Sequence, residues 1–270
     1  MGTSELKGKT ALVTGASSGI GAAFARALAA RGADLIIAAR RQAELDTLAA
    51  SLRAAHGVQV DVVAIDLGVD GAAEALFAQT EGAGRTIDLL INNAGFGEHR
   101  WFVEQQWARV AQQLQLNIVT LTELTHRFAR AMAARGRGHL LNVASIGAYT
   151  PTPTYATYSA SKAYVRDFTE AIAFELAPKG VRVCSLCPGL VRTEFHQVSG
   201  QELPSWMKKF ASMDADSCAA IGLRALLGSR RNVVSGWLNK VNMWLLRFMP
   251  RRAMVWIAYK SMGKPKQLRA

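Results

Sequence analysis

A phenol and an ammonium group four residues apart are the clearest chemical signal in this chain. Tyr158 and Lys162 belong to the run Tyr-Ser-Ala-Ser-Lys, and residues at this spacing share one face of a helix. Ser145 lies thirteen positions upstream of Tyr158, at the expected end of an apolar strand, 139–144. A neighbouring cation is expected to lower the pKa of the phenol, because it stabilises the phenolate. The three residues therefore predict a proton-transfer site.

A glycine-rich turn near the amino terminus follows a short apolar run. The run Thr10–Val13 is typical of a strand, and a helical pattern extends from Ala22 to Arg31. A strand, such a turn and a helix in this order bring backbone N–H groups and the helix dipole to a pyrophosphate. The segment 14–21, Thr-Gly-Ala-Ser-Ser-Gly-Ile-Gly, departs from the general dinucleotide fingerprint, so a plain tight turn is the alternative.

Six motifs in a fixed order extend this pattern as far as residue 193. They are the glycine-rich turn, the Asn-Asn-Ala-Gly run at 92–95, Asn117, Ser145, the Tyr158 and Lys162 pair, and Pro-Gly-Leu-Val-Arg-Thr at 188–193. With these motifs the chain resembles the classical short-chain dehydrogenase/reductase family. The resemblance runs from about Lys9 to Thr193 and implies a Rossmann-type sheet with strand order 3-2-1-4-5-6-7. One domain over residues 1–270 is predicted, because no repeat or linker interrupts the alternation of strands and helices.

The secondary-structure pattern alternates strands and helices, which favours an α/β fold with a doubly wound parallel sheet. The longest helical stretch is predicted from Glu104 to Arg135. Seven strands are predicted, at residues 10–14, 34–39, 60–65, 87–92, 139–144, 181–187 and 232–234.

The end of the second predicted strand indicates the cofactor. An acid at this point would bind the ribose 2′-hydroxyl of NAD, whereas an arginine accommodates the 2′-phosphate of NADP. Arg40 and then Arg41 stand here, so NADP(H) is predicted; alternatively, both are solvated residues at the strand exit. The resemblance implies further cofactor contacts at Gly15, Ser17, Ser18, Gly19, Ile20, Gly21, Asp66, Leu67, Asn93, Tyr158, Lys162, Pro188, Gly189, Val191 and Thr193.

Hydride addition to a carbonyl leaves an alkoxide that must be stabilised and protonated. The resemblance implies that Tyr158 donates the proton, that Lys162 holds the nicotinamide ribose, and that Ser145 binds the substrate oxygen. Asn117 would position a water that connects Lys162 to solvent; alternatively, it is a polar residue inside a helix, paired with backbone. Tyr155 is disfavoured as the acid, because no lysine lies four residues after it.

The resemblance also implies a substrate lid over residues 193–213. Few charges occur there, so an apolar substrate is predicted: a ketone, a 3-oxoacyl compound or a steroid-like compound. Packing of an ordinary surface helix is the alternative reading of its large apolar side chains, which are Phe195, Trp206, Met207, Phe210 and Met213.

Cysteine and histidine usage argues against metal or redox chemistry. Cys184 and Cys187 fall in one predicted strand, where residues three apart point to opposite faces, and Cys218 is the only other cysteine. The five histidines show no ligand spacing. No basic-then-apolar leader precedes the first strand, so a cytoplasmic enzyme is predicted.

Positive charge is concentrated near the carboxyl end. Residues 206–270 carry 13 Lys and Arg against 2 Asp, whereas residues 1–205 carry 19 basic and 18 acidic residues. Within the segment 237–270, one apolar helical stripe is predicted, formed by Trp237, Val241, Trp244, Leu245 and Phe248.

Three readings of this basic amphipathic segment stay open. It could be a subunit contact in a homo-oligomer, a peripheral contact with the inner face of a membrane, or a docking surface for an acyl chain or an anionic thioester. Nucleic-acid binding is disfavoured, because no recognition motif accompanies the charge. The sequence as a whole predicts an NADP-dependent oxidoreductase; the alternative is a catalytically idle nucleotide-binding protein that this segment attaches to membranes or partners.

Overall fold

A parallel sheet lies at the centre of the computed structural model, which describes residues 5–201, 212–262 and 265. Within these residues all seven strands pair in parallel, in the order β3-β2-β1-β4-β5-β6-β7. The predicted fold class and strand order are thereby confirmed. The strands are β1 (Thr10–Thr14), β2 (Asp34–Ala39), β3 (Val60–Ala64), β4 (Leu89–Asn92), β5 (Gly138–Val143), β6 (Val181–Cys187) and β7 (Asn232–Val234).

Helices cover both faces of the sheet. They are α1 (Gly19–Ala29), α2 (Gln42–His56), α3 (Ala72–Ala78), α4 (Trp107–Leu114), α5 (Leu121–Ala134), α6 (Ala156–Leu176), α7 (Phe195–Ser199), α8 (Ala215–Leu227), α9 (Trp237–Leu245) and α10 (Arg251–Met262). Successive residues of β1 enter different apolar clusters: Val13 packs with α1, α2 and α8, and Leu12 packs with α3 and α5. Cys184 and Cys187 likewise lie in different clusters, as the period of a strand requires.

The helix predicted from Glu104 to Arg135 is interrupted, which corrects that prediction. A 3₁₀ turn at Phe102–Glu104 precedes α4, and a π-helical segment, Gln115–Thr120, joins α4 to α5. Such segments carry more residues per turn than an α-helix and occur frequently at functional sites. Asn117 lies in this segment and is fully buried. The hydrophobic pattern of the sequence continues through residues 115–120, so the pattern does not reveal the π-helical segment.

The predicted motifs meet at the carboxyl edge of the sheet. In a parallel sheet the loops that leave the strand ends lie side by side, and ligands bind in the crevice between them. The glycine-rich turn follows β1, Asn93 follows β4, Ser145 comes two residues after β5, and Pro188 follows β6. The topology therefore assembles segments that are far apart in the sequence.

No helix in the described ranges combines the length and the apolar character needed to cross a bilayer.

Candidate active site

Tyr158 and Lys162 occupy the amino-terminal part of α6, beside the loop that follows β5. The ammonium of Lys162 lies 5.9 Å from the centroid of the Tyr158 ring and donates a hydrogen bond of 2.8 Å to the carbonyl oxygen of Val143. The hydroxyl of Ser145 is hydrogen-bonded to Tyr158 and accepts a bond of 3.1 Å from the backbone N–H of Gly147. The fold thus brings together the phenol, the ammonium and the hydroxyl that the sequence singled out.

The ionisation of the pair differs from the sequence expectation. Burial raises the pKa of Tyr158 to about 12, although the hydrogen bond from Ser145 opposes this rise. Burial also lowers the pKa of Lys162 to about 8. The expected lowering of the phenol's pKa is therefore wrong for this structure, because loss of water from around Tyr158 outweighs the favourable contacts. A phenol that stays protonated at neutral pH is suited to donate a proton.

Asn117 is held by the loop after β4. Its Nδ2 donates to the carbonyl oxygen of Phe96 at 3.0 Å and to Ser161 Oγ at 3.1 Å, while its Oδ1 accepts from the N–H of Phe96 at 3.2 Å. Asn117 Oδ1 and Lys162 Nζ both lie within 3.3 Å of the position that a Cβ of Gly95 would occupy. These contacts match the alternative reading, in which Asn117 pairs with backbone. The role in positioning a water stays a prediction.

The glycine-rich turn is built for close approach of backbone to backbone. Gly15 and Gly19 adopt φ of +66° and +55°, which side chains disfavour. A Cβ on Gly21 would lie 2.2 Å from the carbonyl oxygen of Gly15, so this position admits only glycine without a backbone shift. The Nδ2 of Asn93 donates to the carbonyl oxygens of Thr14 and Gly15, at 3.0 and 3.2 Å. The turn is therefore clamped to the loop after β4.

This turn fits a pyrophosphate. Ser18 precedes α1 in an extended conformation and, within the described part of the chain, its side chain does not cap the helix. The first N–H groups of α1 are thus directed at the turn, where the helix dipole favours an anion. Ile20 packs against the sheet's apolar cluster and anchors the helix start. Ser17, Ser18 and Gly19 line a cavity of about 550 Å³ between α1 and α2.

The two arginines at the end of β2 have different surroundings. Arg41 donates from Nε to Ser17 Oγ at 3.2 Å and forms ion pairs with Glu194 at 3.1 Å and Glu44 at 3.6 Å. Arg40 is exposed, and it forms no ion pair with any of the residues that the structure describes. The contact of Arg41 with the glycine-rich turn depends on tertiary proximity, and no sequence pattern indicates it.

The remaining predicted cofactor residues also border the carboxyl edge. Asp66 accepts a hydrogen bond of 2.9 Å from the N–H of Gly68, and the carbonyl oxygen of Leu67 accepts one of 2.9 Å from Thr120. Both residues follow β3, the next strand beyond the arginines. They therefore lie where the adenine end of a dinucleotide would be expected.

The segment after β6 folds back over the glycine-rich turn. The carbonyl oxygen of Pro188 accepts from the N–H of Ile146, and the N–H of Gly189 donates to Ser235 Oγ. Val191 pairs with Met213 as an isolated bridge, and Thr193 packs against Gly19. Residues 202–211 of the predicted lid, with Trp206, Met207 and Phe210, lie outside the described residues.

Aromatic rings flank the phenol of Tyr158. The ring centroids of Phe195 and Tyr155 lie 5.3 and 5.7 Å from that of Tyr158. The hydroxyl of Tyr155 donates to Ser199 Oγ at 2.8 Å and to Gln201 Oε1 at 3.1 Å. Tyr155 thus anchors the start of the lid. Sequence reasoning set this residue aside as a catalytic acid but assigned it no structural role, because its partners are more than forty positions away.

Comparisons with known proteins agree with this geometry. Residues 9–204 match the family model described as short chain dehydrogenase. The chain is 35% identical over 196 residues to a very-long-chain 3-oxoacyl-CoA reductase of Pyrenophora tritici-repentis. The aligned region covers 71% of this chain and 58% of that protein. It is 30% identical over 243 residues to a 7β-hydroxysteroid dehydrogenase of Collinsella aerofaciens, covering 89% of this chain and 90% of the relative.

A solved structure extends the likeness to three dimensions. The short-chain dehydrogenase from Sphingobium yanoikuyae in complex with NADPH has a TM-score of 0.79 and 30% identity, and the match covers 90% of this chain and 97% of that one. The family match spans the glycine-rich turn, Asn117, Ser145 and the Tyr158 and Lys162 pair. From the matched sequence, the parallel sheet and the assembled motifs, we conclude that the chain belongs to the short-chain dehydrogenase family.

Proposed function

We propose that this oxidoreductase uses NADPH to reduce the carbonyl group of an apolar compound such as a ketone, a 3-oxoacyl compound or a steroid. Membership of the family makes the chain an oxidoreductase that acts on CH–OH or C=O groups. The observation that carries the proposal is the contact of Ser145 and Tyr158 beside the buried Lys162. When bound, NADPH would supply the hydride.

Each side chain of this group has a distinct role in the proposal. Tyr158 gives its proton to the alkoxide that develops from the carbonyl, and its pKa of about 12 keeps that proton available at neutral pH. Ser145 donates a hydrogen bond to the same oxygen, which stabilises the developing charge. Lys162 holds the nicotinamide ribose and places a positive charge near the alkoxide. The protonated phenol is the form that donates the proton in the reduction.

The pKa of Lys162 makes a pH dependence testable. A base whose pKa is lowered to about 8 is an ammonium below that pH and a neutral amine above it. We expect kcat/KM to be constant below about pH 8 and to fall roughly tenfold per pH unit above it, because the cation is lost while Tyr158 stays protonated. The measurement is kcat/KM for NADPH, at saturating ketone, from about pH 6 to about pH 10.

Lys162→Arg is the matched control for this profile, since arginine keeps its charge over the whole range. Any activity that this variant retains should be independent of pH up to about pH 10. A wild-type profile without a break near pH 8, or an identical break in both proteins, would contradict the role given to Lys162.

The preference for NADPH rests on the residues at the end of β2. Arg40 is exposed and without an ion pair in the described part of the chain, so its guanidinium is available to a 2′-phosphate. Arg41 lies against Ser17 of the glycine-rich turn and adds positive charge there, although Glu194 and Glu44 neutralise part of it. No acid occupies the position that would favour NAD. The NADPH complex of the Sphingobium relative supports the same cofactor.

Replacement of Arg40 by Asp tests the cofactor preference. A charge-assisted contact of arginine with phosphate contributes roughly 1.5 to 3 kcal/mol, so the wild-type protein should prefer NADPH over NADH by about tenfold or more. Arg40→Asp should erase or reverse this preference in kcat/KM. Arg53→Asp, a basic residue at the far end of α2, serves as control and should leave the preference unchanged. Equal efficiency of the wild-type protein with both cofactors would exclude the assignment.

An apolar substrate is supported by the surroundings of the phenol. Phe195 and Tyr155 place aromatic rings beside Tyr158, and a Cβ on Gly97 would touch both Tyr158 and Phe195. Two relatives carry names that specify very-long-chain 3-oxoacyl-CoA and a 7β-hydroxysteroid. The test is NADPH consumption with a series of ketones of increasing chain length and with a steroid ketone. A chain that binds NADPH but consumes none with any of them would support the catalytically idle alternative.

A further inference from the structure

Helices α9 and α10 expose large apolar side chains to solvent. Trp237, Trp244 and Phe248 are 71, 56 and 72% exposed, and Trp256 on α10 is 61% exposed. We define the carboxyl-terminal apolar surface as these four side chains together with Leu238, Val241, Leu245 and Ile257, all of them exposed. Six of them share one face of α9 and the turn after it, where the ring centroids of Trp244 and Phe248 lie 5.0 Å apart. An exposed apolar group of this kind marks a binding surface more often than an ordinary solvent face.

The side of helix α9 and of the turn after it that faces the protein carries three half-buried residues, Asn239, Met243 and Leu246. Asn239 Nδ2 donates to the carbonyl oxygen of Ser235 at 2.8 Å, and its side chain fills the space beside Gly189. At 100° per residue, Asn239 lies opposite Trp237 and Val241 on the helix. A surface helix normally turns its apolar stripe to the core. Here the stripe predicted from the sequence exists, but it faces outward.

Basic residues accompany this surface, and the sequence places no acid among them. After Asp216 the chain contains no Asp or Glu as far as Ala270, whereas it contains 11 Lys and Arg. Lys240 and Arg247, seven residues apart, share one border of the apolar stripe, and both are exposed. The ammonium of Lys260 lies 5.6 Å from the ring centroid of Trp256. The surface thus combines tryptophans with cations.

The positive charge of the carboxyl-terminal apolar surface favours an anionic membrane over a second copy of the chain as its binding partner. In a symmetric contact between two copies, the same patch would meet itself, so its cations would face the cations of the partner. An anionic bilayer complements them instead, and Lys and Arg can extend to the headgroups while the apolar side chains enter the acyl boundary. We propose that the carboxyl-terminal apolar surface docks on anionic lipid, with α9 and α10 lying in the plane of the interface.

Helix α10 contacts segments that also contact the candidate active site. The ring of Tyr259 on α10 lies 5.8 Å from that of Trp101, and the next two residues, Phe102 and Val103, are 60 and 91% exposed. Gln201 contacts Met262 of α10 and accepts the hydrogen bond from Tyr155, whose ring neighbours Tyr158. If the proposed function holds, docking would bring the residues around the phenol close to apolar carbonyl compounds dissolved in the bilayer. Docking itself does not depend on that reaction.

Vesicle co-sedimentation of the full chain tests the proposal. We expect the protein to sediment with vesicles of phosphatidylglycerol and phosphatidylcholine at low salt, to be released at high salt, and to bind pure phosphatidylcholine weakly. Lys240→Glu combined with Arg247→Glu should weaken the binding by more than about tenfold, because each cation near an anionic surface contributes. No substrate or cofactor is present, so a failure of the proposed reaction does not affect this result.

The chain offers matched controls for both kinds of contact. Arg137→Glu combined with Lys179→Glu removes the same charge from exposed positions just before β5 and β6, at the opposite edge of the sheet from the candidate site, and should leave vesicle binding nearly unchanged. Trp244→Ser should weaken binding, whereas Phe174→Ser, on an exposed position of α6, should not.

Three outcomes would overturn the proposal. The first is a wild-type protein that fails to sediment with anionic vesicles at low salt. In the second, both charge-reversed proteins lose binding equally, which would indicate attraction by net charge alone. In the third, Trp244→Ser converts an oligomer to monomers while neither protein binds vesicles, which would make the surface a subunit contact.

Discussion

Tyr158→Phe is expected to lower kcat by about 10² to 10⁴, the range typical of a positioned general acid. The substitution removes one hydroxyl and leaves the ring between Phe195 and Tyr155. The glycine-rich turn and Lys162 are untouched, so the dissociation constant for NADPH should change little. The measurements are turnover where chemistry limits the rate and a fluorescence titration with NADPH.

Two other tyrosines make this prediction specific. Tyr164→Phe removes a hydroxyl from the same helix, where it contacts Thr122 at 3.0 Å, and should leave kcat unchanged. Tyr155→Phe removes the hydroxyl that anchors Ser199 and Gln201, so it should raise KM more than it lowers kcat. Normal turnover of Tyr158→Phe, or an equal loss in Tyr164→Phe, would refute the assignment of the acid.

Gly21→Ala is expected to reduce stability, although alanine is the better helix former by about 1 kcal/mol. A Cβ at this position would lie 2.2 Å from the carbonyl oxygen of Gly15 and 2.6 Å from Asn93 Nδ2, so the turn or the helix start must shift. Overpacking of this kind costs about 1 to 3 kcal/mol. We expect a loss of about that size in the free energy of unfolding, measured in urea, and at least about tenfold weaker binding of NADPH, because the turn would move.

Ala27→Gly separates local helix stability from the shape of the turn. This residue lies in the same helix, α1, nearly two turns after Gly21. Replacement should cost about 1 kcal/mol through helix propensity, with unchanged affinity for NADPH. If Gly21→Ala kept both the stability and the NADPH affinity of the wild-type protein, the close contact of Gly21 with Gly15 would be unnecessary for folding and for cofactor binding.

The sequence was sufficient to predict the sheet and the place of the motifs. Apolar strands alternate with helices, and this alternation by itself favours parallel pairing. The glycines at 15, 19 and 21 are needed for local backbone geometry, which a single short segment specifies. The helical spacing of Tyr158 and Lys162 likewise depends only on the few residues of one helix turn. Features that depend only on residues close together in the chain could therefore be predicted without the structure.

Other features depend on what surrounds a side chain. The pKa of Tyr158 rises because neighbouring segments exclude water from it, a quantity that spacing along one helix cannot reveal. The π-helical segment that turns Asn117 toward Phe96 is likewise invisible to hydrophobic periodicity.

The carboxyl-terminal segment separates the two kinds of information most clearly. The sequence by itself determined that Trp237, Val241 and Trp244 form one apolar stripe and that the cations lie close to it. Only the tertiary structure decided which way the stripe faces. Asn239 fills the space beside Gly189 and holds its side of α9, with the half-buried Met243, against the protein, so the tryptophan stripe faces outward. Periodicity defines the faces of a helix, whereas packing against distant residues selects the one that is buried.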